Sequence, residues 1–287
     1  MKSFVFWTIV LIHVSVNAFS HDRRFSLSLS PGLMYYQGDM SSSLAPDMRT
    51  SHFSLGFGVG YRLNQIVKLE LGYNRGKISG ADSLVSGHEK RNLHFESPIS
   101  DIRLLTYIDL FGIYDKIWPN TLMEGEYGGR KFLGPGLIFG IGYTKYNPKG
   151  FYNGEWYRLR DLGTEGQHIP GGAYPEPYNK WALNIKYGIS FGYKLSNKVH
   201  LEMEFIYHDV FTDYLDDLSG TYPDYNELIA TENGKIAAQF TYGGRDGSVV
   251  RKGQLRGNPD TKDAFVTFGF KLTYVISRKD LEFFKNL

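Results

Sequence analysis

Four residues on one stretch of the chain have the makings of a chemical site. His200, Glu202, Glu204 and His208 recur at even spacing, and imidazole with carboxylate is a set that ligates metals or passes protons. Even spacing puts all four on one face of an extended strand. His200 and His208 then lie about 26 Å apart, too far to share one ion. The set reads instead as polar partners inside a barrel. Asp209, Asp213, Asp216 and Asp217 follow at once and offer oxygen donors to Ca²⁺, but the twelve-residue Ca²⁺ loop pattern is missing, so a solvated acidic loop is expected. Ser54 and Ser190, with the histidines and acids, raise acyl hydrolysis; no G-x-S-x-G turn marks a nucleophile. There is no phosphate-binding loop and no dinucleotide fingerprint. The aromatics Phe151, Tyr152, Trp156, Tyr157, Tyr174 and Tyr178 read either as a recognition surface or as a girdle with a loop packed on itself. No catalytic, cofactor or metal site is expected.

The elements that carry these residues follow from composition and period. The chain has 287 residues, 33 Gly, no Cys and 16% aromatics. Its 32 basic and 30 acidic residues give a net charge of +2, without the basic excess of a nucleic-acid binder. Without Cys there is no disulfide scaffold, thiolate site or lipoprotein anchor. Lys2, the apolar run through Val16 and the small-residue site at Ala18 read as an export signal over residues 1–18, with the mature chain starting near Phe19. No later run reaches about 18 apolar residues, so spanning helices are excluded there.

Period-two alternation predicts eight strands. In residues 265–276, Val266, Phe268, Phe270, Leu272 and Tyr274 oppose Thr267, Gly269, Lys271 and Thr273. In residues 181–193, Leu183, Ile185, Tyr187, Ile189 and Phe191 oppose Asn184, Lys186, Gly188, Ser190 and Gly192. Leu201, Met203, Phe205 and Tyr207 oppose the histidine–glutamate face, and segments near residues 53–62, 67–74, 102–110 and 132–145 follow suit. Residues 25–36 form a weaker first strand, where Pro31-Gly32 suggests a bulge or a strand start. The polar face is rich in Gly and Ser, which leaves room inside a narrow eight-stranded barrel. It also carries Arg62, Lys68, Glu70, Arg103, Asp109, Lys186, Glu202, Glu204 and Lys271, both signs together, an interior network with the apolar face turned to lipid. Links after odd strands are long (37–51, 78–98, 146–180, 212–263) and those at 63–65 and 195–198 are short. That asymmetry belongs to an outer-membrane barrel with periplasmic termini. The link 112–130 is long for a periplasmic turn and is a candidate partner contact. The fold expected is all-β: a transmembrane barrel over residues 19–276, with a periplasmic tail at 277–287.

Beyond the strands stand several loop strings. One runs Asn147-Pro148-Lys149, then Gly154-Glu155-Trp156-Tyr157, then Gly163-Thr164-Glu165-Gly166. Another is Thr212-Asp213-Tyr214 with Asp216-Asp217, followed by Arg256-Gly257-Asn258. Tyr36-Gln37-Gly38-Asp39 stands near the start. Together these resemble the PorG-like outer-membrane barrels of Bacteroidota, associated with the type IX (Por) secretion system and gliding motility. The resemblance implies a non-enzymatic component that tethers a periplasmic ring, formed by a lipoprotein and its partner protein, to the outer membrane. The competing expectations are a lipid A modifying barrel enzyme and a passive structural or adhesion barrel.

Overall fold

The structure is a computed structural model and describes residues 25–41, 47–88, 91–117, 132–171, 174–245 and 250–277. The export signal at 1–18, most of the 112–130 link and nearly all of the 277–287 tail lie outside the described residues. Eight antiparallel strands close into a barrel: β1 (Phe25–Gln37), β2 (His52–Arg62), β3 (Val67–Ala81), β4 (His94–Asp109), β5 (Phe132–Lys145), β8 (Trp181–Lys194), β9 (Val199–Val210) and β10 (Ala264–Val275). Each pairs with its sequence neighbour in the barrel, and β1 with β10 completes the closure. A short hairpin, β6 (Lys149–Tyr152) and β7 (Glu155–Arg158), extends the wall beyond β4. Among the described residues four α-helices lie outside the wall: α1 (Leu110–Ile117), the single turn α2 (Leu159–Leu162), α3 (Tyr225–Ile229) and α4 (Gly234–Tyr242).

Two expectations are corrected. β3 and β4 run past their expected ends and stay paired to Ala81 and His94, which shortens the link between them to residues 82–93. The inward face here carries Ile78, Phe95 and Ile99, all fully buried, so a rule that looks for polar inward residues stops too early. Pro31 causes no bulge. The β1–β10 register is the same at Leu29–Leu272 and at Gly32–Gly269. Pro31 points outward, where a missing N–H costs one ladder bond and nothing else. Gly32 and Gly269 face each other so closely that a Cβ on Gly32 would stand 2.6 Å from the Phe268 carbonyl oxygen.

Outside, every barrel strand exposes apolar side chains: Leu27, Phe57, Leu71, Ile102, Ile141, Leu183, Phe205 and Phe270 stand for a belt that runs round the whole wall. A soluble protein rarely leaves a continuous apolar surface of that extent in water. Aromatics edge the belt. Trp181 stacks on Tyr143 at 5.0 Å and Tyr187 on Tyr207 at 5.1 Å toward the long loops. Phe25 packs on Tyr61 at 4.9 Å toward the short turns. From Trp181 to Tyr193 the strand covers about 40 Å, or about 30 Å once tilted, which spans a hydrocarbon layer. Among the described residues no helix is long and apolar enough to do so.

Candidate functional site

Inside the membrane-spanning part the inward side chains fill the lumen in layers. Lys271, fully buried, is the hub. Its Nζ lies 3.2 Å from Glu202 and 3.6 Å from Glu70, is hydrogen-bonded to Glu204, and sits 3.7 Å over the Tyr107 ring. Lys68 reaches Glu70 and Glu202 from the short-turn side at 3.6 and 3.7 Å. The next layer is apolar: Leu105, Ile138 and Ile206, none exposed, pack with Tyr107. Toward the long loops Lys186 pairs with Asp101 at 3.1 Å, both wholly buried, among Asn184 and Thr144. Arg103 lies against Gly56 and Gly72, where any Cβ would meet its guanidinium at 3.2 Å. The glycines of the inward face are the space these long charged side chains occupy.

Of the nine residues read as an interior network, Lys68, Glu70, Arg103, Lys186, Glu202, Glu204 and Lys271 therefore meet in the lumen. Two sit elsewhere. Asp109 is the last residue of β4, and its carboxylate accepts the Gly112 N–H at the start of α1, a cap on the helix. Arg62 stands at the short-turn mouth. Sequence reasoning missed Asp101, because the fourth strand was expected to start at Ile102 and starts at His94; Asp101 shares the parity of Arg103, which was the available signal. His200 and His208 point inward at different levels, His208 beside Thr267 at 3.0 Å. The letters G-x-S-x-G do occur, at Gly188-Ile189-Ser190-Phe191-Gly192. They lie in mid-strand in β8 with Ser190 turned inward, and no elbow exposes its hydroxyl.

Above the membrane belt the four long links fold into a cap on a second core. Met34, Tyr36, Ile78, Phe95, Leu215, Phe240 and Phe265 belong to it. The loop strings converge here. Buried Arg256 pairs with Glu165 at 3.1 Å and Asp217 at 3.4 Å, and donates to the Asp217 and Phe240 carbonyls. Asp217 also accepts from Thr164 and from Tyr178, the latter at 2.7 Å, and Glu165 from the Ser219 and Gly220 amides. Gly163 and Gly166 adopt φ of 66° and 88°, left-handed values that glycine meets without strain. Tyr36 Oη lies 2.7 Å from Asp216 and 2.6 Å from Asp263. One hydroxyl has one proton to donate, so one of the two carboxyls must itself be protonated. Burial, together with their mutual repulsion and that of nearby acids, holds both well above the usual carboxylate range. Burial likewise pushes Asp217 up to about 6, against the pull of Arg256, and Asp213 up to about 7.

The other string residues line the cap's flank. Pro148 accepts the Leu159 N–H, and Lys149 starts β6. Asn147 takes its N–H to Ser97, and Thr212 meets the Tyr146 hydroxyl at 3.1 Å. Tyr214 stacks on Tyr178 at 4.4 Å. Gly154 makes the hairpin turn; Glu155 accepts from Tyr157, and Trp156 packs on Phe151, both exposed. Tyr174 donates to Glu227. Asp209 faces the outward Tyr187 and Tyr207 instead of joining the other aspartates. Among the described residues no three imidazoles or carboxylates converge to hold a metal ion.

This is a membrane barrel with a filled lumen.

No protein-family model and no curated protein matches the chain. Among solved structures it is similar to Neisserial surface protein A at 11% identity, TM-score 0.38, over 90% of this chain and 100% of that one. It is also similar to Ail of Yersinia pestis at 8% identity, TM-score 0.38, over 89% and 100%, and to OprG of Pseudomonas aeruginosa at 12%, TM-score 0.35, over 88% and 98%. The membrane reading rests on the chain's own strand pairing and outward face.

Proposed function

We propose that the chain is a non-enzymatic outer-membrane protein that anchors a periplasmic ring of the type IX secretion system. The observation that carries the reading is the filled lumen. Buried side chains occupy the lumen at Lys271, Ile138 and Lys186, and an eight-stranded barrel so filled is too narrow to pass a polypeptide, so in this reading the barrel serves as a fixture in the membrane and works through its two ends. The resemblance of its loop strings to the PorG-like barrels supplies the kind of assembly. In that reading the N-terminus exports the chain, the long links face outward, and the short-turn end, where α1 leaves β4, meets the ring lipoprotein and its partner protein. The absence of an exposed nucleophile at Ser190 speaks against lipid A hydrolysis there.

The test is a mild-detergent pull-down of the tagged full-length chain from outer membranes, with co-eluting proteins identified by mass spectrometry. The ring lipoprotein and its partner are expected. A lone barrel, in a strain whose secretion survives deletion of the gene, would refute the anchor.

A further inference from the structure

The outward face of the wall changes character at the long-link end of β3, β4 and β5. The hairpin register lines up Tyr73, Ile102, Tyr143 and Leu183 in one row across β3, β4, β5 and β8, all exposed and all part of the lipid belt. Two residues further along each strand, on the same face, the next row reads Arg75, Ser100, Lys145 and Trp181. Arg75 and Lys145 are exposed, and Ser100 is half-buried. Strands about 4.8 Å apart put the Arg75 and Lys145 backbones about 10 Å apart, with Ser100 midway. A short side chain between two long ones leaves a notch over β4, flanked by cations.

The wall itself does not answer these charges. Among the described residues no hydrogen bond or ion pair engages the Arg75 guanidinium. Lys145 Nζ stands 5.3 Å from the centre of the Trp181 ring, a contact that holds the ammonium at this level without neutralising it. Glu96, also outward on β4, is taken by Lys77 at 2.8 Å. A row just above a hydrocarbon-facing row lies at the depth of lipid headgroups, where long basic side chains lay their stems on apolar wall and their heads in polar surroundings. The strong acceptor at that depth is phosphate, which guanidinium and ammonium groups both bind.

We propose that Arg75, Ser100 and Lys145 form a site for the phosphate of a lipid headgroup in the leaflet on the long-link side. The acyl chains of the lipid lie over Tyr73, Ile102 and Tyr143, and its phosphate sits over Ser100 and accepts from both cations. Both side chains are longer than one strand spacing, so each reaches the notch. The apolar row holds any lipid; the cation pair selects an anionic one. The site lies on the wall and not at the short-turn end, so it stands apart from the anchor reading. Each cation beside an anionic headgroup is worth about fivefold in affinity, and the pair about twenty-five-fold.

The test places the purified protein in phosphatidylcholine vesicles and exchanges a fraction of the lipid for phosphatidic acid with dibrominated acyl chains, which quench a tryptophan they touch. The quenching that Trp181→Phe removes reports the site. Dibrominated phosphatidic acid is expected to act at about twenty-five times the apparent affinity of dibrominated phosphatidylcholine. Arg75→Gln and Lys145→Gln should each lower that preference about fivefold, and the double variant should remove it. Lys262→Gln, over Phe211 on the far side of the barrel, should leave it unchanged. Heat-modified gel mobility verifies that each variant is folded. No preference in the native protein, or the same preference in the folded double variant, would overturn the site. An equal loss in Lys262→Gln would overturn it as diffuse attraction by the whole wall. Reversal by inorganic phosphate at equal concentration would overturn it as a site for free phosphate.

Discussion

Lys271→Met removes one charge from the middle of the membrane and leaves its partners in place. The side chain is wholly buried, with Glu202 at 3.2 Å, Glu70 at 3.6 Å and Glu204 in direct contact. At an effective dielectric of about 20, the contacts at 3.2 and 3.6 Å are each worth about 5 kcal/mol before desolvation. Desolvation of four buried ions cancels most of that sum in the native protein. It does not cancel the cost of the variant, where three carboxylates face Lys68 and Arg103 alone. Breaking a buried pair on one side costs about 3–5 kcal/mol, and we expect Lys271→Met to lose that much in equilibrium urea unfolding from lipid vesicles, followed by tryptophan fluorescence and gel mobility. Methionine nearly matches the lysine stem in volume, so packing changes little. Adding Glu204→Gln removes one surplus negative charge and is expected to restore at least 1 kcal/mol. A loss below 1 kcal/mol, or a double variant no better than the single one, would refute the claim that this layer is held by charge pairing.

Further expectations concern the cap and the wall. Arg256→Met leaves Glu165 and Asp217 buried without their cation and is expected to destabilise the cap by about 3–5 kcal/mol, seen as faster hydrogen exchange in residues 211–263. Raised carboxylate values make the cap sensitive to alkali. The stability these acids contribute is complete below their unfolded value near 4 and is lost as pH rises through about 6 for Asp217, about 7 for Asp213, and beyond for Asp216 and Asp263. Exchange in the cap, corrected for intrinsic rate, should therefore be faster at pH 9 than at pH 5; Asp216→Asn should flatten the profile, and a profile of opposite slope would contradict it. Gly32→Ala forces a Cβ to within 2.6 Å of the Phe268 oxygen and is expected to cost about 1–3 kcal/mol in folding yield or unfolding free energy.

The wall was legible because alternation is a local signal: each lipid-facing side chain is two residues from the next. The eight strands, the inward lysines and glutamates, and the unequal links all follow from it. What was not legible was contact between links. Arg256 meets Glu165 across 91 positions and Tyr36 meets Asp263 across 227, and no period connects them. The loop strings carrying Thr164, Glu165 and Asp217 stood out as strings, with no sign that they form one buried knot. The upper ends of β3 and β4 were lost for a related reason. There the inward face turns from Glu70 and Asn74 to Ile78, because that end packs on folded links instead of a charged lumen. A single rule for the inside cannot hold along a strand that passes from one environment to the other.

That change of environment carries a last expectation. Among the described residues the lumen network and the cap knot share no ion-pair partner: Lys271 is held by Glu70, Glu202 and Glu204, and Arg256 by Glu165 and Asp217. Between them lie the Leu105–Ile138–Ile206 layer and the Lys186–Asp101 pair. Sites without shared partners add to within about 0.3–0.5 kcal/mol. Lys271→Met should therefore leave hydrogen exchange in the cap unchanged while it lowers the barrel's unfolding free energy, and Arg256→Met should do the reverse. The double variant should show both losses at their single-variant sizes. A cross-effect above about 1 kcal/mol would exceed that additivity limit. It would mean that strain passes through the wall, and that a partner seated at the short-turn mouth can be felt by the links on the opposite side.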